Sequence, residues 1–329
     1  MFDSGKGNEG MKIVFMEADN LGRDIDLSMF DRLGEVTVYG TSEPSEDAAR
    51  IRDADIVIAN KVLMNEALLK SAERVKLICL TATGTNVVDF PYVNGRGITV
   101  ANVKGYSTMS VAQHTFALLF YVYEKLAYYD SFVKSGEYAG SDMFCHFAQP
   151  FHELAGKIWG IVGLGEIGRK VAQIATAFGC HVVYYSTSGR NGNTSYPRLD
   201  FNTLLKTSNI ISIHAPLHAA TEKLFDASAF DRMKKDAVLL NLGRGPIVDQ
   251  AALADAIVSG KIAGAGIDVL EQEPPEPDDP LLKIQDSKKL VVTPHMAWAT
   301  CEARRRCADE VYENIVSWLK GVKRNVVTE

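Results

Sequence analysis

The chain has 329 residues, long enough for two domains at roughly 150 residues each, and its 47% hydrophobic and 23% charged content is ordinary for a globular protein. A formal net charge of −6 leaves no electrostatic footprint for nucleic acid or an anionic membrane, so neither is expected as a partner. No apolar run approaches the roughly 18 residues of a membrane span. The five cysteines (Cys79, Cys145, Cys180, Cys301, Cys307) show no C-x-x-C spacing; neither a disulfide framework nor a metal site is expected, and a cytoplasmic setting fits.

Residues 1–10 are polar and glycine-rich and are expected to be a leader outside the fold. From residue 11 to about 100, short β-rich runs alternate with amphipathic stretches. Strands are expected at 12–17, 35–39, 56–59, 77–80 and 99–101, with helices such as 45–51 and 65–72 between them. That rhythm predicts a parallel sheet covered by helices. The loop after its first strand carries no G-x-G-x-x-G, so this domain should be Rossmann-like without holding a dinucleotide. Leu80-Thr-Ala-Thr-Gly-Thr-Asn86 lies just past a strand end. There the backbone N–H groups around Thr83 and Gly84 could hold a carboxylate, or the stretch could be an ordinary polar turn.

Asn102-Val-Lys-Gly105 reads as a hinge. A long helix should follow from Ser107 or Thr108 toward Asp130, with Val111, His114, Thr115, Leu118, Leu119 and Val122 on its apolar stripe. His114 on that stripe reads as a core histidine. The aromatic-rich stretch 138–151 reads as a surface-crossing loop able to bury against a second subunit.

The centre of the chain is Gly163-Leu-Gly-Glu-Ile-Gly168. Lys157-Ile-Trp-Gly-Ile-Val162 before it is a short buried strand. Residues 169–178 after it have helical periodicity, and His181-Val-Val-Tyr-Tyr185 opens a second strand. In that βαβ setting Gly163 makes the tight turn, Gly165 lets the backbone approach a pyrophosphate, and Gly168 lets the helix pack on the strand. Leu164, Glu166 and Ile167 complete the loop, and the helix N-terminus presents N–H groups to the phosphates. The acidic residue that would bind a ribose 2′-OH about 20 residues on is replaced by Ser186, followed by Thr187, Ser188 and Arg190. A serine can hydrogen-bond a 2′-phosphate that an aspartate would repel, so NADPH is expected to be preferred over NADH. Further strands are expected at 210–214, 237–241, 264–269 and 289–293, giving a six-stranded doubly wound sheet, with helices at 200–208, 227–232 and 249–259. A last helix, 300–320, should pack back onto the first domain.

Three ionisable residues follow the ends of successive late strands: Arg244, Glu273 and His295. Loops at that edge of a parallel sheet line the ligand crevice. Arg244 could grip a carboxylate and polarise the adjacent carbonyl. His295 could deliver a proton as hydride arrives, and Glu273, bonded to His295, would favour the imidazolium. Taken singly each has an ordinary reading: Arg244 pairing with Asp249, Glu273 in a solvated acidic loop, His295 as a turn residue.

At these segments the chain resembles the D-isomer-specific 2-hydroxyacid dehydrogenases. The matching stretches are Gly163–Gly168, Asn241-Leu-Gly-Arg-Gly-Pro-Ile-Val-Asp249, Gly266-Ile-Asp-Val-Leu-Glu-Gln-Glu-Pro274 and Val292-Thr-Pro-His295. Gly84-Thr-Asn-Val-Val-Asp89 and Asn102-Val-Lys-Gly-Tyr-Ser-Thr108 also match, so the likeness runs through residues 11–320. It implies two Rossmann-like doubly wound domains, with a cofactor domain (105–298) inserted into a split substrate domain (11–104 plus 299–329). It also implies the roles above for Arg244, Glu273 and His295, with a 2-oxo acid carboxylate held as well near Thr83 and Gly84. On the same likeness Asp268 contacts the nicotinamide carboxamide and Val111 packs near that ring. His214, Ala215, Pro216, Thr221 and Leu242 join the cofactor-contacting set, NADP or NAD is the cofactor, and a homodimer is favoured. Asp142-Met-Phe-Cys145 with Trp298 in the substrate site resembles the glycerate dehydrogenase and hydroxypyruvate reductase branch. Formate dehydrogenases share the architecture but carry Gln where Glu273 stands. Dinucleotide-sensing corepressors keep similar residues, yet no interaction tail is evident after residue 320.

Overall fold

The computed structural model describes residues 10–328; apart from an exposed Gly10, the expected leader lies outside the described residues. The described residues form two compact units. One comprises the residues up to Ser107 together with those from Ala299 onward, and the other is Thr108–Trp298.

In the first unit the strands are β1 (Lys12–Phe15), β2 (Glu35–Val38), β3 (Ile56–Ala59), β4 (Leu77–Leu80) and β5 (Thr99–Ala101). β3 and β4 are buried at every position, as strands covered on both faces must be, which is why they read as unbroken apolar runs. The second unit opens with helices α1 (Thr108–Tyr123) and α2 (Leu126–Lys134). It continues through β6 (Ile158–Val162), α3 (Glu166–Ala177), β7 (His181–Tyr185), β8 (Ile210–Ile213) and β9 (Val238–Asn241), then α4 (Gln250–Val258), β10 (Gly264–Ile267) and β11 (Leu290–Val292). The chain then returns to the first unit as α5 (Cys301–Leu319) and β12 (Val326–Val327).

The sheet of the first unit has the order β12-β5-β4-β3-β1-β2, parallel except for β12, which runs antiparallel along β5. That of the second unit runs β11-β10-β9-β8-β6-β7 with every pair parallel. Successive connections leave β6 in opposite directions, to β7 on one side and β8 on the other. The C-terminal end of β6 is therefore the topological switch point, where ligands of open α/β sheets bind, and it is from this end that the glycine loop emerges.

Side-chain chemistry explains the elements. Asp200, Asp226 and Asp249 cap their helices by accepting from Thr203 N, Ala229 N and Ala252 N, the exchange that makes Asp a preferred N-cap. Trp159 of β6 is fully buried and gives its indole N–H to Ser212 Oγ of β8 at 2.9 Å, so the large ring brings no unpaired polar group into the core. On α5, Ala303, Cys307, Val311, Asn314 and Ile315 are buried at three- and four-residue spacing. Within the first unit Asn314 Nδ2 donates to Asn102 O at 2.9 Å, and the Tyr312 ring meets Phe30 edge-on.

Two features depart from the sequence reading. The helix expected to reach Asp130 breaks at Lys125, whose φ of 57° lies in the left-handed region and ends the ladder before α2 restarts; the Lys125 Nζ bond to Lys288 O stands at that break. β12 was not anticipated, because a two-residue strand has no period to read.

Candidate active site

The glycine loop makes the tight turn and the close helix packing expected of it. Gly163 has φ +92°, and a Cβ there would lie 2.9 Å from the Ala215 backbone; the turn is left-handed and pressed against the loop after β8. A Cβ on Gly168 would come 2.3 Å from Gly163 O, so only glycine lets α3 seat on the turn. Gly165 is different: nothing lies within 4 Å of its Cβ position. It is the N-cap of α3 and offers no side chain to the first turn, which leaves the N–H groups of a twelve-residue helix facing an open cradle. Leu164 is buried, Ile167 half-buried and Glu166 exposed.

At the end of β7 the backbone folds into a turn, with Gly189 N donating to Ser186 O at 3.2 Å. Ser186 is itself buried, and its hydroxyl accepts from Asn191 N. Thr187 is half-buried, while Ser188 and Arg190 are exposed. Asn191 Nδ2 reaches back to Leu164 O at 2.8 Å, tying this turn to the glycine loop.

The three late loops converge within the second unit. Arg244 follows β9 in extended conformation, its Nη1 donating to Gly243 O at 2.8 Å. Buried Asn241 shapes that turn by accepting from Gly243 N and donating to Arg244 O, both at 3.1 Å. A Cβ on Gly245 would fall 1.9 Å from Leu270 O, so the arginine loop lies directly on the loop after β10. In that second loop Leu270 N donates to Glu273 Oε1 at 3.0 Å. The other carboxylate oxygen of Glu273 stands 2.7 Å from His295 Nδ1. With Nδ1 so engaged, Nε2 is the ring nitrogen left for chemistry. The alternative partner for Arg244 is otherwise occupied: Asp249 caps α4 and pairs with Lys223 at 3.4 Å. The Ala252 N–H at its carboxylate holds Asp249 below the usual carboxylate range.

Comparisons with known proteins identify the family. The model of the family "D-isomer specific 2-hydroxyacid dehydrogenase, NAD binding domain" matches residues 116–297. The chain is 36% identical to a glycerate dehydrogenase of Methylorubrum extorquens over 96% of its own length and 98% of the relative's. It is also 36% identical to a hydroxypyruvate reductase of Blautia hydrogenotrophica, over 97% and 100%. Among solved structures it resembles an NADPH-dependent glyoxylate/hydroxypyruvate reductase of Sinorhizobium meliloti in complex with NADP and malonate, with a TM-score of 0.82, 26% identity and 96% of each chain covered. The chain belongs to the D-isomer-specific 2-hydroxyacid dehydrogenases.

This dehydrogenase moves a hydride between NAD(P)H and a 2-oxo or 2-hydroxy acid, and its residues fit a dinucleotide. Just past β8, where His214 N donates to Val162 O at 2.8 Å, both ring nitrogens of His214 are buried without a hydrogen-bond partner. Burial pushes its pKa down to about 3, so the ring is neutral. An unmatched polar ring at the switch point is the kind of group a bound ligand satisfies. Ala215 is buried against Gly163 and Pro216 is exposed. Thr221 is fully buried, its hydroxyl donating to Pro216 O and accepting from His218 N, both at 2.9 Å; it closes the turn that carries Pro216. Val111 and Leu242 are buried in the core cluster around Trp159, and Trp298 packs half-buried against it.

Asp268 is 2% exposed, and its carboxylate accepts from Thr293 Oγ1 at 2.6 Å and from Met296 N and Ala297 N at 2.9 Å. It anchors the segment carrying His295. Thr83 and Gly84 lie past β4 in the first unit, where Thr83 Oγ1 donates to Val103 O and Thr83 O accepts from Asn102 Nδ2, both at 2.7 Å. Asn191, Asn241 and Thr293 escaped the sequence reading. Among the described residues no helix is long and apolar enough to cross a membrane.

Proposed function

We propose that the dehydrogenase reduces a small 2-oxo acid of the hydroxypyruvate or glyoxylate type to the D-2-hydroxy acid, preferring NADPH. The observation that carries this reading is the 2.7 Å contact between His295 Nδ1 and Glu273 Oε2 beside Arg244. The carboxylate accepts a hydrogen bond from Nδ1–H, fixes the tautomer and stabilises the charged ring, so that Nε2 can give a proton to a developing alkoxide. Arg244, always charged, binds the substrate carboxylate and draws electron density from the neighbouring carbonyl. Bound NADPH supplies the hydride. In the oxidative direction His295 takes the hydroxyl proton instead. The substrate range is supported by the glycerate dehydrogenase and hydroxypyruvate reductase relatives. The cofactor preference is supported by the serine at position 186, where a carboxylate would repel a 2′-phosphate, and by exposed Ser188 and Arg190 in the same turn. The exposed apolar side chains of 126–151 support a homodimer.

Mixing the purified protein with a panel of 2-oxo acids and either reduced cofactor should bleach the reduced-nicotinamide absorbance, with higher kcat/KM for NADPH. Absence of turnover across the panel would overturn the substrate reading. The Arg190→Ala variant should raise KM for NADPH roughly tenfold or more, the scale of a charge-assisted hydrogen bond of about 1.5–3 kcal/mol, and leave NADH unaffected. Equal effects on both cofactors would remove Arg190 from the 2′-phosphate site.

A further inference from the structure

His295 sits on a backbone that few residues adopt unaided, with φ at 50°. Its own N–H is shared between Asp268 O at 2.8 Å and Thr293 O at 2.9 Å. Such a conformation persists only when the surroundings over-determine it. The Asp268 carboxylate gathers Thr293, Met296 and Ala297. Helix α1 holds the same segment as well. Ser110 Oγ donates to Ala297 O at 2.5 Å, and one helical turn later His114 Nε2 lies 3.0 Å from Thr293 Oγ1. These two anchors fall two residues after and two residues before His295.

The direction of the histidine bond follows from the network. Thr293 has one hydroxyl proton and gives it to Asp268 Oδ1, so toward His114 it can only accept. His114 therefore carries its proton on Nε2, which also faces Asp268 Oδ1 at 3.6 Å. A leucine on this face of α1 would fill the space without a polar group to satisfy; the histidine is bonded to the catalytic loop.

We propose that Ser110 and His114 are positioning residues, a clamp on α1 that fixes the 293–297 segment and so aims His295 Nε2. The proposal rests on the reading of His295 as the proton-transfer group. A general acid displaced by about 1 Å can lose on the order of 10²-fold in rate, and the clamp removes that freedom at both ends of a short loop.

The test compares His114→Phe, His114→Gln and Ser110→Ala in the full chain. His114→Phe should lower kcat by about 10–100-fold, with the NADPH Kd within about twofold of wild type. His114→Gln, which keeps an N–H donor, should recover most of that loss. Ser110→Ala should lower kcat several-fold, and it covers the case in which the phenylalanine variant fails to fold. Wild-type kcat in His114→Phe, or equal losses with Phe and Gln, would overturn the clamp. Hydrogen exchange at the Met296 and Ala297 amides reads it independently of turnover. Those amides should exchange about tenfold faster in His114→Phe as local opening becomes easier, and unchanged exchange would overturn it. A wild-type protein that turns over no 2-oxo acid refutes the proposed function instead, and the exchange measurement still decides the clamp.

Discussion

His295 and Glu273 are each about one-third exposed, at 29% and 32%. An ion pair so open to water contributes at most about 1 kcal/mol to stability. Its value must therefore be sought in reactivity, which separates the effects of a mutation. His295→Ala should cut kcat/KM by about 10²–10⁴-fold, the range of a lost general acid, while the melting temperature and NADPH affinity stay near wild type. Loss of cofactor binding in that variant, measured by nicotinamide fluorescence, would assign His295 to the cofactor instead. Arg244, Glu273 and His295 stood out in the sequence as candidates because each follows a strand end, where side-chain type and place in the chain both carry meaning. Asn241 and Asn191 did not. Asn191 bonds Leu164 O, 27 positions back in another loop, and no spacing announces such a partner; Asn241 bonds Gly243 N and Arg244 O within its own turn, where it reads only as a polar strand end. His114 was visible but read as core, since an apolar stripe does not disclose a hydrogen bond to a residue 179 positions away.

At the scale of elements, the glycine loop separates folding from binding. Alanine at Gly163 would have to take φ +92° and press its methyl to 2.9 Å from the Ala215 backbone. Strain of this kind costs about 1–3 kcal/mol, or a fall of several degrees in Tm at roughly 2–4 °C per kcal/mol for a unit of this size. At Gly165 the φ is −78° and the methyl would meet no protein atom. Its stability cost should stay within about 1 kcal/mol, that of a poorer N-cap. The methyl would instead enter the cradle where a pyrophosphate approaches the backbone. Gly165→Ala should therefore weaken NADPH binding by tenfold or more with little change in Tm, and Gly163→Ala should do the reverse in emphasis. Calorimetry on both variants checks this; a large Tm loss at Gly165 would show that the cradle is structural. The strands around this loop were predictable to within a residue or two because their apolar runs end at turn residues. The break at Lys125 was not, since lysine is a good helix former and nothing local signals its left-handed backbone.

For the molecule as a whole, one contrast tells two sheets of the same kind apart in the sequence. Only the second has the glycine loop after its first strand. The aromatic stretch 138–151 was expected at the surface, and large apolar side chains do stay in water there. They concentrate in 126–151, with Phe144 90% and Phe147 76% exposed and Leu126, Val133, Met143 and Phe151 exposed beside them. At the base of this segment half-buried aromatic side chains contact one another. The His146 ring stacks on Phe132 at 3.8 Å, its Nε2 is 2.7 Å from the Tyr128 hydroxyl, and Tyr129 bonds Gln149 O. Exposed apolar tips of this kind suit an interaction surface, and a second copy of the chain is the occupant that the proposed homodimer supplies. Each buried phenylalanine is worth about 1.5–3 kcal/mol, and a two-fold interface uses it twice. Light scattering should give twice the chain mass for the wild type, and the Phe144→Asp, Phe147→Asp double variant should dissociate to the monomer with NADPH binding retained. A monomeric wild type, or a double variant as dimeric as its parent, would assign these side chains to some other surface.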